Sequence, residues 1–318
     1  MTQPLFTVLL PVHRPPQLLE FAVRSVLAQS VQDFELYIVC DGAPEETVRY
    51  AQQLADGDAR IRVFSFPKGE RHGEAHRHTA LEGARSRFVA HLGDDDVWFP
   101  DHLSELSALL ESCDFGHLLQ AEIRPDGAVH LHVADLADPI TRSNMLDEKW
   151  NFFGPSSAGY SLEAYRSLPV GWSPAPETIW TDLYMWRKFL VQERFTFGTR
   201  LTVQCIKPSA SERGEMSLEA RRAETERLVE KYESSAARQD FHTRCTFMLV
   251  DHFKQINVRN LENFQAQLGQ MEASRDSWQQ AHDRLVNSLS WKVTKPLRAA
   301  MQKLNRFTRW FLPAQRER

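Results

Sequence analysis

Three carboxylates in a row, Asp94, Asp95 and Asp96, sit in the stretch "HLGDDDVWFP" directly after an apolar run, and a fourth, Asp41, follows another apolar run in "FELYIVCDG". Adjacent like charges repel, so the cluster needs something to offset them. A divalent cation would do so: hard carboxylate oxygens suit Mg²⁺ or Mn²⁺, and the ion can bridge them to the phosphates of a nucleotide. Without a cation, solvent or raised pKa values would relieve the repulsion. The alternative use is architectural, an exposed acidic loop in which Asp96 or Asp101 caps a helix that starts near Pro100.

The surrounding chain decides between these uses. "FTVLLPV" (Phe6 to Val12) is a continuous aliphatic run, the pattern of a strand buried on both faces. Leu18, Leu19, Ala22, Val23, Val26 and Leu27 then recur at helical spacing, which predicts a helix covering the sheet. "FELYIVC" (Phe34 to Cys40), "IRVFSF" (Ile61 to Phe66) and "RFVAHL" (Arg87 to Leu92) supply three more strands, with helices predicted between them. Repeated βα units imply right-handed crossovers and a mostly parallel sheet. Ligands of such sheets bind at the carboxyl ends of the strands. Asp41 and Asp94 to Asp96 therefore fall on one rim, which favours the nucleotide site over the cap.

Taken in order, these residues resemble the family 2 glycosyltransferases with a GT-A fold. The matching stretches are "TVLLPVHRP", "SVLAQSVQDFELYIVCDGAPEET" and "RHTALEGARSRFVAHLGDDDVWFPDHL", which cover about residues 5 to 106. A further stretch, "PETIWTDLYMWRKF", is similar to the segment that carries the family's catalytic acid. The resemblance implies an α/β catalytic domain over residues 1–212, a Rossmann-like, mostly parallel sheet flanked by helices. It implies that Pro11, Val12 and His13 flank the nucleobase and that Asp41 bonds its uracil-like edge. Arg77 would contact the diphosphate or orient the acidic loop. Asp95 takes the place of the ligand to Mn²⁺ or Mg²⁺, and Asp94 contacts the ribose, or the metal through water. Cys40, His78 and Gly93 depart from the family pattern, standing where it has an acid, an asparagine and an acid.

The activity so implied is metal-dependent, inverting transfer of a sugar from a nucleoside diphosphate, UDP, to a glycan or lipid-linked acceptor in cell-surface polysaccharide synthesis. The cation would act as Lewis acid and template, and a carboxylate across the sugar would take the proton of the attacking hydroxyl. Asp182 is placed for that role, with Glu177 as the neighbouring alternative; Asp182 also suits a cap, with Thr181, for the helix "LYMWRKFL". Trp172, Trp180 and Trp186 either stack on sugar faces or fill the core. The segment Phe152 to Tyr165 either shapes a sugar pocket or is an ordinary turn. A nucleotidyltransferase would be expected to carry a Gly-rich loop after its first strand, and "PVHRPPQ" has no glycine. A non-catalytic scaffold on a degenerate transferase domain is the other alternative; the three departures point towards it, while Asp41, Asp95 and Asp182 point away.

Composition narrows the class further. A net charge of −4 gives no basis for nucleic-acid binding, and the four cysteines form no CxxC pair. A reducing cytoplasm, or the inner face of the cytoplasmic membrane as a peripheral site, is the expected location. The apolar start of "MTQPLFTVLLPVHRPP" is too short for a signal peptide or a membrane span. Residues 213–290 are expected to form a helical extension. Within it Leu261, Phe264, Leu268, Met271, Trp278, His282, Leu285 and Leu289 recur at alternating steps of three and four, broken at Arg275. That pattern suits a coiled coil and self-association, or one amphipathic helix packed back on the catalytic domain. Residues 291–318 combine Leu297, Met301, Leu304, Phe307 and Phe311 on one face with six Lys and Arg between Lys292 and Arg309, a basic amphipathic helix suited to a membrane surface or a partner protein.

Overall fold

The computed structural model describes residues 3–302. Strand β1 (Phe6–Val12) is buried along nearly its whole length because it is paired on both sides. β2 (Phe34–Asp41) and β4 (Phe88–His91) flank it, and β3 (Ile61–Phe66) lies outside β2, all parallel. Helices α1 (Leu19–Leu27), α2 (Glu45–Gly57) and α3 (Glu74–Glu82) make the crossovers. The registers Val12↔Cys40 and Leu9↔His91 bring the carboxyl ends of β1, β2 and β4 to one edge.

Beyond β4 the sheet becomes mixed. After β5 (Val97–Trp98) and α4 (His102–Leu110) come β6 (Phe115–Ile123) and β7 (Val129–Leu131). Next are α5 (Pro139–Asp147), β8 (Ala158–Ser161), α6 (Leu162–Arg166), α7 (Thr181–Leu190) and β9 (Phe197–Lys207). The nine strands form one sheet in the order β3-β2-β1-β4-β8-β6-β9-β5, with β7 on β6. β8 runs antiparallel to both β4 and β6, β5 antiparallel to β9, and β7 antiparallel to β6. The expected sheet was mostly parallel; six strands do run one way, but three reverse. Because β6 and β9 run with β1, their carboxyl ends reach the same rim, and the reversed β8 brings the residues just before Ala158 there too.

Two apolar layers cover the sheet. On one face Leu19, Ala22, Val23 and Val26 of α1 and Leu103 and Leu106 of α4 pack against Val8, Leu10 and Ile38. On the other, Trp186 and Phe189 of α7 pack with Phe115, Phe153 and Tyr160. Truncating a fully buried member such as Trp186 typically costs about 3–5 kcal/mol.

α8 (Leu218–Lys231) and α9 (Ser235–Asn287) follow, then α10 (Leu289–Val293). The unit that contains the sheet runs to Phe247, and Met248 onward forms a second unit. Past residue 212 the chain still packs on the unit that contains the sheet: Leu228, Tyr232, Phe241 and Cys245 are buried, and Arg222 donates to the Gln17 carbonyl and to Glu20 of α1. In the second unit Leu261, Phe264, Leu268, Met271, Trp278 and Leu285 of α9 are exposed. Leu304, Phe307 and Phe311 of the expected basic tail lie outside the described residues. Among the described residues no helix is long and apolar enough to cross a membrane.

Candidate active site

A cavity of about 560 Å³ opens on the rim where the strands end. Pro11, Val12 and His13 after β1, Asp41 at the end of β2, Arg77 of α3, Asp94 to Asp96 after β4 and Asp182 of α7 all line it. Every expected site residue is thus on one wall or another of a single space. Glu177 is exposed and does not line it. Trp172 and Trp186 belong to the core, and Trp180 is 48% exposed at the cavity's lip.

Asp41 is fixed from three directions. Lys68 Nζ donates to Oδ2 at 2.5 Å, the Gly69 N–H donates to Oδ1 at 2.7 Å, and His76 Nε2 lies 3.6 Å from Oδ1. Burial pushes this carboxyl up, but the Lys68 ammonium, the Gly69 N–H and His76 outweigh it and hold the carboxyl below its usual range. Two glycines make the close fit. Gly42 has φ +59° and Gly73 has φ +71°, and a Cβ at Gly73 would stand 2.5 Å from Asp41 Cγ.

The acidic triplet is caged by arginine. Arg14, just past β1, places Nε 3.0 Å from Asp94 Oδ2 and donates from Nη1 to Asp95 Oδ2 at 3.0 Å. Arg213, in the turn after β9, donates from Nη1 to Asp95 Oδ2 at 2.8 Å and from Nη2 to Asp96 Oδ1 at 3.0 Å. Arg221 of α8 donates to the same Asp95 Oδ2. Asp96 Oδ2 accepts from Ser156 Oγ at 2.6 Å and from Gln120 Nε2 at 2.9 Å, and Ser156 Oγ also accepts the Gly93 N–H at 2.9 Å. Ser156 lies in a 3₁₀ turn, Pro155–Ser157, so the Phe152 to Tyr165 segment does form a cavity wall.

These contacts split the three acids. Burial pushes Asp95 up, but Arg213, Arg14 and Arg221 outweigh it and leave it below the usual range. Asp94, also raised by burial and then by the Asp95 charge, is only partly offset by Arg14 and reaches about 7. The repulsion noted in the sequence is therefore relieved by three guanidiniums and by a raised pKa.

That answer bears on the expected cation. One oxygen of Asp95, the expected ligand, already receives three guanidiniums, and three acids face three arginines. A divalent ion would have to enter beside three positive charges. Among the described residues no group of three or more His, Cys, Asp or Glu side chains is placed to hold a metal ion. With three guanidiniums on that oxygen, the donor set does not fit Mn²⁺ or Mg²⁺ bound through Asp95 Oδ2.

Asp182 is set differently. It lies in the first turn of α7, where its Oδ1 accepts the Leu183 N–H at 2.8 Å and its Oδ2 accepts from Asn151 Nδ2 at 2.9 Å. Burial pushes it above the usual carboxylate range, and the Leu183 and Asp182 N–H groups, Asn151 and Arg77 do not cancel the rise. Asp182 lines the cavity but does not cap α7: the N-cap position is Trp180, which makes no side-chain capping bond. Arg77 does not touch the triplet's cage: its Nη2 donates to the His72 carbonyl at 2.9 Å and its guanidinium lies 4.9 Å from the centre of the Trp172 ring. Nearby, burial pushes His91 down to about 3, so it is neutral; its Nε2 pairs with Tyr160 Oη at 2.9 Å.

The sequence reading missed Arg14, Arg213, Arg221, Ser156, Gln120 and Lys68. Arg14 stood inside a stretch already singled out, "PVHRP". Arg213 and Arg221 lay in a run that reads as a solvated charged helix, with no local signal that they turn inward.

The family model described as "Glycosyl transferase family 2" matches residues 7–168, about half of the 318 residues. The chain belongs to glycosyl transferase family 2. Among relatives of this family 2 chain, the succinoglycan biosynthesis protein ExoW of Rhizobium meliloti is 35% identical over 147 residues, 43% of this chain and 44% of that protein. The GalNAc(5)-diNAcBac-PP-undecaprenol beta-1,3-glucosyltransferase of Campylobacter jejuni is 29% identical over 199 residues, 60% of this chain and 63% of that protein. The family 2 chain thus spans less than two thirds of either relative. In fold it matches the crystal structure of S. aureus TarS 1-349, with a TM-score of 0.51 at 14% identity, over 63% of this chain and 59% of that one. The architecture is accordingly GT-A, with a long helical segment at its C-terminal side.

Proposed function

We propose that this chain transfers a sugar from a nucleoside diphosphate donor, UDP being the nucleotide, to a hydroxyl of a glycan or lipid-linked acceptor, with inversion at the anomeric carbon. The observation that carries it is the single cavity that joins Asp41, the acidic triplet and Asp182 at the strand ends. Asp41, held ionised by Lys68 and Gly69, presents a fixed acceptor for the N–H of a uracil-like edge. The loop Pro11 to His13 closes the other side of the base.

In the chemical step the acceptor oxygen attacks the anomeric carbon as the bond from that carbon to the diphosphate oxygen breaks, and the electron pair leaves with the nucleoside diphosphate. The hydroxyl proton passes to Asp182. A raised pKa suits this carboxylate to proton transfer, because a base closer to the operating pH accepts the proton more readily. Asn151 and the Leu183 N–H hold the two oxygens in place, so no reorientation is needed as the proton arrives. No step here runs through a cation.

The names of the two relatives, one of succinoglycan biosynthesis and one of a glucosyltransferase acting on an undecaprenol-linked glycan, support cell-surface polysaccharide synthesis as the setting. Work on a lipid-linked acceptor would place the protein at the inner face of the cytoplasmic membrane. The helical extension is the part we assign to self-association and surface contact; sedimentation velocity and flotation with anionic vesicles test those two assignments. The catalytic proposal is tested by incubating the protein with UDP-sugars and lipid-linked acceptors. Transfer by the wild type that is lost in Asp182→Asn supports it. Equal turnover by the variant would remove Asp182 from the mechanism, and absence of turnover with any nucleotide sugar would favour the scaffold.

A further inference from the structure

The guanidiniums of the arginine cage crowd onto a single carboxylate oxygen. Asp95 Oδ2 takes three guanidiniums, although a carboxylate oxygen offers about two lone-pair sites. Meanwhile the buried Nε of Arg213 has no hydrogen-bond partner among the described residues, and the Nε of Arg14 meets only Asp94 Oδ2, in an ion pair at 3.0 Å. Each guanidinium carries five N–H donors in a planar fork that matches phosphate geometry. An over-subscribed oxygen beside an unpaired Arg213 donor suits an acceptor group with several oxygens and negative charge. Part of the cage lines the cavity: Arg14, Arg213, Asp94 and Asp95 are on its wall, and Arg221 joins them through its bond to Asp95.

We propose that Arg14, Arg213 and Arg221 bind the diphosphate of the donor and that its capture needs no divalent cation. This rests on the proposed transferase function and replaces the expected metal site at Asp95. The three guanidiniums arrive from the exit of β1, the turn after β9 and the first turns of α8, so they converge from separate elements and need not all move together. In the unliganded protein Asp95 is the stand-in anion that keeps them assembled. When the diphosphate enters, part of their hydrogen bonding passes from Asp95 to phosphate oxygens, and the same charge then stabilises the departing nucleoside diphosphate.

The two roles for Asp95 predict opposite signs. A metal ligand replaced by asparagine weakens nucleotide binding, whereas an anion that competes with phosphate for the arginines strengthens it when neutralised. The experiment is calorimetric titration of UDP into the full chain, with Mn²⁺ or with EDTA, on wild type, Asp95→Asn, Arg213→Gln and Arg221→Gln. GDP and dTDP serve as controls, and circular dichroism melting establishes that each variant is folded. The expected result is a Kd in EDTA within about threefold of that in Mn²⁺, binding by Asp95→Asn at least as tight as wild type, and about tenfold weaker binding by either arginine variant. If an arginine variant fails to fold, the double variant Asp95→Asn/Arg221→Gln, which restores charge balance, takes its place with the same expectation relative to Asp95→Asn. Binding that appears only with Mn²⁺ and disappears in Asp95→Asn overturns the cage and leaves the transferase standing. Binding in EDTA that the arginine variants do not weaken overturns the cage as well. Failure of folded wild type to bind any of the three nucleotides in either buffer removes the donor site itself, and with it the proposed function.

Discussion

Asp95 and Asp182 stand on the same rim and line the same cavity, yet the protein treats them in opposite ways. Asp95 is surrounded by three guanidiniums that hold it ionised. Asp182 has one side-chain amide, local N–H groups and a more distant Arg77, and burial wins, so its affinity for a proton rises. The difference teaches that an acid's position at a strand end does not set its role. What sets it is the number of cations that the rest of the fold brings up to it. A carboxylate with many is a fixed charge, and one with few is a proton acceptor.

Removing the proton acceptor tests the contrast most severely. Asp182→Asn should lower transfer by roughly 10³-fold, in the range of a lost general base, while UDP affinity measured by calorimetry stays where it was. A parallel loss of UDP binding would mean that Asp182 belongs to the donor site and that the contrast is misdrawn. A smaller effect comes from pH. The base must be deprotonated to work, so kcat/KM should fall as pH drops through the raised pKa of Asp182, at a higher pH than an ordinary carboxylate near 3.8 would require. Asn151→Leu removes a donor that favours the charged form. It should therefore move that acid limb upward by about 0.5–1 pH unit in the pH profile of kcat/KM.

Smaller still is the effect on stability of Asp94, which lies between the two regimes. Its folded-state pKa, about 7, exceeds the usual 3.8, so the folded protein holds this proton more tightly than the unfolded chain does. Its contribution to stability is present below about pH 4 and is lost as pH rises through 7. Asp94→Asn should remove part of that loss, raising Tm at pH 8 by about 3 °C while leaving it nearly unchanged at pH 4. Scanning calorimetry at the two pH values checks the difference. An equal shift at both would show that Asp94 is charged in the folded state throughout, as Asp95 is.

The parts of this architecture that were legible in sequence are those with local signals. β1 to β4 announce themselves as apolar runs of four to eight residues, and Asp41 and Asp94 to Asp96 follow directly at their ends. The reversed strands were not legible: β5 has two residues and β7 three, too short for any periodicity, and β8 is defined by partners far away in the chain. The same holds for the site. Asp182 was found through a stretch of similar sequence. Arg213 and Arg221 were not, because they meet Asp95 across 118 and 126 positions and their neighbours in sequence are other charged residues. Only pairings across the sheet and the path of the chain after β9 bring them inward.

That return path has a practical consequence for anyone who shortens the gene. Stopping the chain at residue 212, where a charged helical run begins, would delete Arg213 and Arg221 and the tie from Arg222 to α1, leaving Asp95 with Arg14 as the one survivor of its three guanidinium partners. The product would carry an under-compensated acid on the wall of its cavity and uncover Phe99, which packs on Tyr232 and Phe241. Stopping after Phe247 keeps both helical turns that carry these arginines, along with Tyr232 and Phe241, whose rings pack on Phe99. For recombinant expression, the useful stop codon belongs inside the long helix rather than ahead of it.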